Sequence, residues 1–250
     1  MKDIFKFLVG KYNEIDKPIF TKPYVDKTYD MLELARRLDK APEETKPVFR
    51  EAMETLAARI KAHQTIRDLL EKSELPVLIL YDVHVLCPAG SASIDYVILS
   101  NRFVLAVSCP SQEAGLTAEE SRAEAAPGEH HRLSSSEHSA FILTEILRDE
   151  KLLSRKDLKM VWPITVLPEP SSEETFDEPL GTFTSTQSRT YPEVRRAQTV
   201  RPADLIAYIK KLFQFDDAYT WVSNTDLYHI SAALLTYDKK ATDNGDKEEG

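Results

Sequence analysis

Apolar residues recur at helical spacing in the first third of the chain. Over 31–38, and again over about 47–72, they return every three or four positions, which is typical of amphipathic helices. The first stretch stops before Ala41-Pro42, because the residue before a proline disfavours helical backbone. The pattern therefore predicts a short helix followed by a long one.

The spacing then becomes extended, and Leu75-Pro76 marks the change. Three runs rich in β-branched, aromatic and other apolar residues follow, and turn residues separate them. These runs are 77–86, 92–100 and 103–107. Because their connections are short, they predict an antiparallel three-strand meander.

Further elements alternate with polar segments in the second half. A serine-capped helix is predicted to end near residue 149. The apolar run 159–167 predicts a strand, which Pro163 demotes to a sheet edge or a bulge. Proline and acid in a first turn predict a helix over 201–212, and 221–237 predicts one more.

These elements divide the chain into three parts. Residues 1–46 are predicted to be an arm and a short helix, and 216–250 a helix and a disordered charged tail. Residues 47–215 are predicted to form one domain with mobile insertions near 111–134 and 168–196. The order helix, three strands, helix, strand, helix implies an α/β or α+β fold, with a mostly antiparallel meander and helices on its faces.

Composition narrows the class of protein. The two cysteines, Cys87 and Cys109, are too few for a disulfide framework and lack the paired spacing of a zinc site. No secretion signal and no long apolar run occur, and the apolar turn at 4–8 is too small for stable membrane insertion. We therefore expect a cytoplasmic protein. Its net charge of -9 repels phosphate backbones, so nucleic-acid binding would have to be local.

The meander resembles the core of the nuclease-related domain family, abbreviated NERD. The block 75–85 followed by 93–100 is similar to that family's strand pair, whose hallmark is Gln-Ile-Asp-His/Tyr before a hydrophobic strand. Asp95 falls on the hallmark aspartate. The likeness extends over roughly 50–213 and implies a restriction-endonuclease-like core, a central mixed sheet flanked by helices and preceded by a helical leader.

The resemblance also implies a metal site of the form Asp…Glu-x-Lys. In such a site the two carboxylates hold Mg²⁺ and the lysine orients the attacking water during phosphodiester hydrolysis. In this chain Val107 stands where the Glu is expected and Cys109 where the Lys is expected. His63 replaces the glutamate of the preceding helix, and Ser93 replaces the hallmark glutamine. Asp95 alone remains, and one carboxylate holds Mg²⁺ only weakly.

These departures favour a catalytically degenerate member of the family that acts by binding nucleic acid or a protein partner. The first alternative is an active Mg²⁺-dependent nuclease whose missing ligands come from Asp82, Glu137 or Glu145. The second alternative is a structural or interaction module without a nucleic-acid role. We expect no resident cofactor, or Mg²⁺ if the protein is active; the sequence leaves the oligomeric state open.

Two smaller groups of residues allow both a chemical and a structural interpretation. His63 could join Asp95 as a ligand for a softer metal, but a surface-facing helix histidine is the commoner explanation. Cys109 follows an apolar strand directly and is expected to be a small buried residue rather than a nucleophile.

The chain has one basic cluster, with a tyrosine among its arginines. Such a patch could contact phosphates and stack on a base, whereas the structural interpretation is a solvated loop before a helix. The candidate nucleic-acid-binding residues are Arg189, Arg195, Arg196 and Arg201.

Overall fold

A mixed sheet of six strands, lying side by side in chain order, forms the centre of the described part of the chain. The structure is a computed structural model that describes residues 14–109, 134–152, 161–167, 197–214 and 222–238. The strands are β1 Ile19–Lys22, β2 Leu78–Cys87, β3 Gly90–Leu99, β4 Val104–Ser108, β5 Val161–Val166 and β6 Gln198–Val200. Strands β2, β3 and β4 form an antiparallel meander, whereas β1, β5 and β6 each join the sheet in parallel.

Five α-helices accompany the sheet within the described ranges. They are α1 Thr28–Lys40, α2 Lys46–Glu71, α3 Ser135–Asp149, α4 Leu205–Gln214 and α5 Asn224–Thr236, with a 3-10 turn at Pro202–Asp204 before α4. Each face of the sheet carries its own hydrophobic core. Helices α3 and α5 cover one face, and α4 with the C-terminal half of α2 covers the other. The mixed α/β architecture agrees with the sequence prediction.

The side-chain alternation reverses once in each of two neighbouring strands, at Asp82 in β2 and at Asp95 in β3. The pairs Tyr81↔Tyr96 and Val83↔Ile94 keep one register, yet the tyrosines lie in the α2/α4 core and the aliphatic pair lies in the α3/α5 core. Alternation along an undisturbed strand would put both pairs on one face. Asp82 has a left-handed φ of 52°, which is where β2 departs from regular extended geometry.

The prediction of an arm before the first helix is wrong for residues 19–22, which form β1. Strand β1 pairs in parallel with β2, and Ile19 donates its N–H to the carbonyl of Val77 over 3.0 Å. The pattern missed it because β1 is only four residues long and mixes apolar with polar side chains. Its partner lies more than fifty residues further along the chain.

Pro163 does not place β5 at a sheet edge, because β5 lies between β4 and β6. The proline is tolerated because pairing with β6 begins only at Ile164, so that at Pro163 the strand pairs on one side, with Ala106 of β4. The helix predicted over 47–72 and the meander are confirmed, each within about two residues of the expected bounds. Both proposed insertions, apart from Ser134, and the tail after residue 238 lie outside the described residues.

The last described residue, Asp238, joins two distant parts of the chain to β2. Its side chain is fully buried and accepts hydrogen bonds from Lys22 Nζ of β1 and from the backbone N–H of His84, the latter over 3.2 Å. Asp238 also forms an isolated β-bridge with Val85. The end of α5 is thereby tied to the same edge of the sheet as β1.

Helix α1 stands apart from both cores. It packs against α2 and buries none of its residues, although its apolar side chains recur on one face. Tyr29 and Leu32 on α1 are 67% and 54% exposed, and Val48 at the start of α2 is 66% exposed. We call these three residues the α1–α2 apolar patch.

Candidate functional site

Asp95 lies at the point where β3 changes faces, and this irregularity directs its side chain toward α2. The carboxylate is almost completely buried, with only 6% of the residue exposed. Its Oδ1 accepts a hydrogen bond from Arg59 Nη2 of α2 over 2.6 Å, and its Oδ2 accepts one from the backbone N–H of Cys109 over 2.6 Å. The aspartate therefore joins the long helix to the end of β4.

His63 is buried on α2 beside this carboxylate, so the expectation of a surface-facing histidine is wrong. Its exposed fraction is 1%. The sequence held a signal for this, because His63 continues the stripe formed by the buried Ile66 and Leu70 at helical spacing. A polar residue on such a stripe faces the core, where it needs a partner.

Two tyrosines fix the position of His63. The imidazole Nδ1 lies 2.9 Å from the hydroxyl of Tyr81, and the Tyr96 hydroxyl donates to the backbone carbonyl of His63 over 2.7 Å. Both tyrosine rings meet the imidazole nearly edge-on. The other ring nitrogen, Nε2, is buried 3.4 Å from Asp95 Oδ1, without hydrogen-bond geometry.

Cys109 is buried, as the sequence predicts, and lies next to Asp95. Burial, together with the nearby Asp95 charge, raises the pKa of the Cys109 thiol well above its ordinary value. A thiol with a raised pKa is a poor nucleophile at neutral pH. Val107, at the position where the resemblance implies a glutamate, is completely buried in the α2/α4 core and offers no ligand.

Opposing effects set the protonation of the ion pair formed by Asp95 and Arg59. Burial alone would raise the pKa of the Asp95 carboxyl, yet the His63 imidazole, the Arg59 guanidinium and the Cys109 N–H together hold that pKa below its ordinary value. Burial of Arg59 opposes its charge, but Asp95 outweighs that effect and raises the pKa of the guanidinium. The site therefore contains a stable ion pair at neutral pH.

The structure brings three groups of metal-ligating type together at this point. One ligand atom from each of His63, Asp95 and Cys109 lies within 4.8 Å of the other two. Among the described residues this group includes no second carboxylate. Mg²⁺ requires oxygen ligands and is held by one or two carboxylates with substrate phosphate, so an imidazole and a thiol do not suit it. The residues present do not fit the Mg²⁺ site that the resemblance implies.

The three carboxylates considered as substitute ligands have other partners. Each takes part in its own ion pair or backbone hydrogen bond, and none of them belongs to the group of His63, Asp95 and Cys109. The contacts are Asp82 with Lys27, Glu137 with the N–H of Ala197, and Glu145 with Arg148.

Sequence reasoning missed Arg59, although it lies one helical turn before His63 on the same face of α2. Of the four candidate nucleic-acid-binding arginines, Arg189, Arg195 and Arg196 lie outside the described residues. Arg201 is partly buried and precedes the 3-10 turn that leads into α4.

Comparisons of the chain with protein-family models, with curated proteins and with solved structures gave no match. None of the helices within the described ranges combines the length and the apolar character that crossing a bilayer requires.

Proposed function

We propose that this chain is a catalytically degenerate member of the nuclease-related domain family that acts by binding nucleic acid or a protein partner. The order of its elements supports the proposal. Helix α2 is followed by the meander β2–β3–β4, by α3 and then by β5, which pairs in parallel with β4. This is a central mixed sheet flanked by helices, the arrangement that the resemblance implies for a restriction-endonuclease-like core.

The proposal that the protein has lost nuclease activity rests on one observation: both oxygens of the Asp95 carboxylate already accept hydrogen bonds from the protein. Arg59 donates to one oxygen of the carboxylate and the Cys109 N–H donates to the other. The adjacent groups are the His63 imidazole and the Cys109 thiol. A nuclease site needs carboxylates free to hold Mg²⁺ and a cation to orient water. Here the cation neutralises the one carboxylate instead.

The first experiment measures cleavage of plasmid and single-stranded DNA at increasing Mg²⁺ and Mn²⁺ concentrations. Wild-type protein is compared with Asp95→Asn, which keeps the size of the side chain and removes its charge. We expect no metal-dependent cleavage by either protein. Cleavage by the wild type that is lost in Asp95→Asn would contradict the proposal and support the active-nuclease alternative.

A second experiment separates the two kinds of partner by testing nucleic acid directly. Labelled single- and double-stranded DNA is titrated with the protein at low salt, where phosphate contacts are strongest. The matched variant replaces Arg189, Arg195 and Arg196 with alanine. A shift that this variant weakens supports nucleic-acid binding, and the absence of any shift supports a protein partner or a module without a nucleic-acid role.

The α1–α2 apolar patch favours the protein partner. Its three large apolar side chains are exposed on two helices that pack against each other, and exposed apolar surface is typical of interaction sites. Leu32→Glu is expected to abolish retention of a bound protein in affinity capture. Leu86→Glu is the control, because Leu86 is a 45% exposed leucine on β2, outside this patch. Equal retention by both variants would exclude the patch as the binding surface.

A further inference from the structure

We propose that His63, Asp95 and Cys109 form a binding site for a divalent transition-metal ion of borderline softness, of the class of Zn²⁺. This goes beyond the proposed function, because it concerns a metal that no step of phosphodiester hydrolysis requires here. A nitrogen, a carboxylate oxygen and a sulfur are the three ligand types that Zn²⁺ takes in proteins. All three ligand atoms lie within 4.8 Å of one another.

The ligand atoms are close to the spacing that a metal site requires. With bonds of about 2.0 to 2.3 Å, ligands around a tetrahedral Zn²⁺ are roughly 3.5 Å apart, so the three side chains must close by about an ångström. His63 Nε2 and Asp95 Oδ1 are already 3.4 Å apart. The three protein ligands would leave a fourth coordination position for water or another small ligand.

The buried His63 imidazole supplies the second, independent observation. Its Nε2 has no hydrogen-bond partner in the structure, although 99% of the residue is shielded from solvent. Leaving a buried polar atom unpaired costs about 1 to 3 kcal/mol, and such atoms are rare in folded proteins. A metal ion at Nε2 would satisfy this atom.

Tyr81 holds the imidazole in the orientation that a ligand needs. Its hydroxyl lies 2.9 Å from His63 Nδ1, the nitrogen that faces away from Asp95. In the metal-bound state Nδ1–H would donate to this hydroxyl, and the lone pair of Nε2 would then face Asp95 and Cys109. Metal-bound histidines commonly have such a partner on the second ring nitrogen, which fixes the tautomer and the ring orientation.

In the metal-free protein Arg59 binds Asp95 Oδ1, the oxygen that lies nearest to His63 Nε2. The site has the same net charge with Arg59 bound as it would have with a metal ion bound. Without metal, the guanidinium neutralises Asp95 and Cys109 is a thiol. With metal, the ion bonds the Asp95 carboxylate and the Cys109 thiolate, the thiol proton passes to the buffer, and Arg59 turns outward. Arg59 can leave, because 41% of its side chain is already exposed. Coordination deprotonates the thiol even though burial opposes ionisation.

The test is titration of the full, reduced chain with Co²⁺, a spectroscopic substitute for Zn²⁺. We expect a thiolate-to-cobalt charge-transfer band in the near ultraviolet that Zn²⁺ then abolishes by displacing the Co²⁺. Cys109→Ser should lose the band. Cys87→Ser is the matched control and should keep it, because Cys87 is the other buried cysteine and is not part of the three-residue group.

Further variants guard against loss of folding as an explanation. His63→Gln and Asp95→Asn should weaken Co²⁺ binding at least about tenfold while circular dichroism shows folded protein. Arg59→Gln should bind Co²⁺ several-fold more tightly while circular dichroism shows folded protein, because the substitution removes the competing guanidinium. Absence of the band in the wild type, its persistence in Cys109→Ser, or weaker binding by Arg59→Gln would overturn the proposal.

Discussion

Arg59 and Asp95 are 36 residues apart in the chain, and Arg59 Nη2 lies 2.6 Å from Asp95 Oδ1. The two partners differ in burial, because the side chain of Asp95 is 8% exposed and that of Arg59 is 41% exposed. The pair therefore joins a nearly buried carboxylate to an arginine whose side chain is partly exposed, although its Nε is buried. This asymmetry decides which partner the protein tolerates losing.

We expect Arg59→Gln to destabilise the metal-free protein more than Asp95→Asn. The first change strands a buried carboxylate and should cost roughly 2 to 3 kcal/mol, whereas the second frees a guanidinium that turns to solvent and should cost about 1 kcal/mol. Urea unfolding in the presence of EDTA measures both free energies. A larger loss in Asp95→Asn would contradict this order and the assignment of the main cost to a stranded buried carboxylate.

The stability contributed by Asp95 should depend on pH. Its pKa is lower in the folded protein than in the unfolded chain, so the folded state releases this proton more readily. The contribution is complete above the ordinary aspartate pKa of about 4 and is lost as the pH falls through the folded value. The difference in free energy of unfolding between wild type and Asp95→Asn should therefore shrink from pH 6 toward about pH 3. A constant difference over this range would contradict the lowered pKa.

Lys22→Met should destabilise the protein strongly. It removes the Lys22 ammonium from its ion pair with the fully buried Asp238 carboxylate, and breaking a buried pair costs about 3 to 5 kcal/mol. Arg37→Met is the control, because its pair with Glu33 is exposed and should contribute less than about 0.5 kcal/mol. Thermal unfolding of both variants checks the contrast, and similar losses would argue against burial as the cause.

Ser134→Ala should cost about 1 kcal/mol of stability. Ser134 caps α3 through a reciprocal pair: its hydroxyl accepts from the N–H of Glu137, and its own N–H donates to the Glu137 carboxylate over 2.9 Å. Ser135→Ala is the matched control, because Ser135 is the exposed first residue of the helix. Chemical denaturation should detect the loss in the first variant and almost none in the second.

The sequence predicted well those elements in which the regular spacing of apolar residues continues over many positions, so that single exceptions do not obscure it. Helix α2 and the meander meet this condition, whereas β1 does not. The reversal of side-chain direction in β2 and β3 left no sign in the sequence, because strict alternation would place Tyr81 and Val83, on either side of Asp82, on one face. The register alone does not reveal the reversal, since both strands change faces together.

The site was predictable in part. Asp95 and Cys109 come together as the strand pairing requires, because Tyr96 pairs with Val107 and places the two residues near each other at the end of the ladder. His63 could have been placed by its stripe on α2. Its partner Tyr81 could not, because that contact depends on how α2 crosses the sheet, which is a property of tertiary packing.

The contacts of Asp238 also govern how the protein opens. Because Lys22 of β1 and the end of α5 meet on one buried carboxylate, neither can detach while the other keeps its native contacts. These two segments, 216 residues apart, should therefore behave as a single cooperative unit in native-state hydrogen exchange. Amides of β1 and of the last turn of α5 would exchange with the same free energy of opening, and a change at either segment would alter protection at the other.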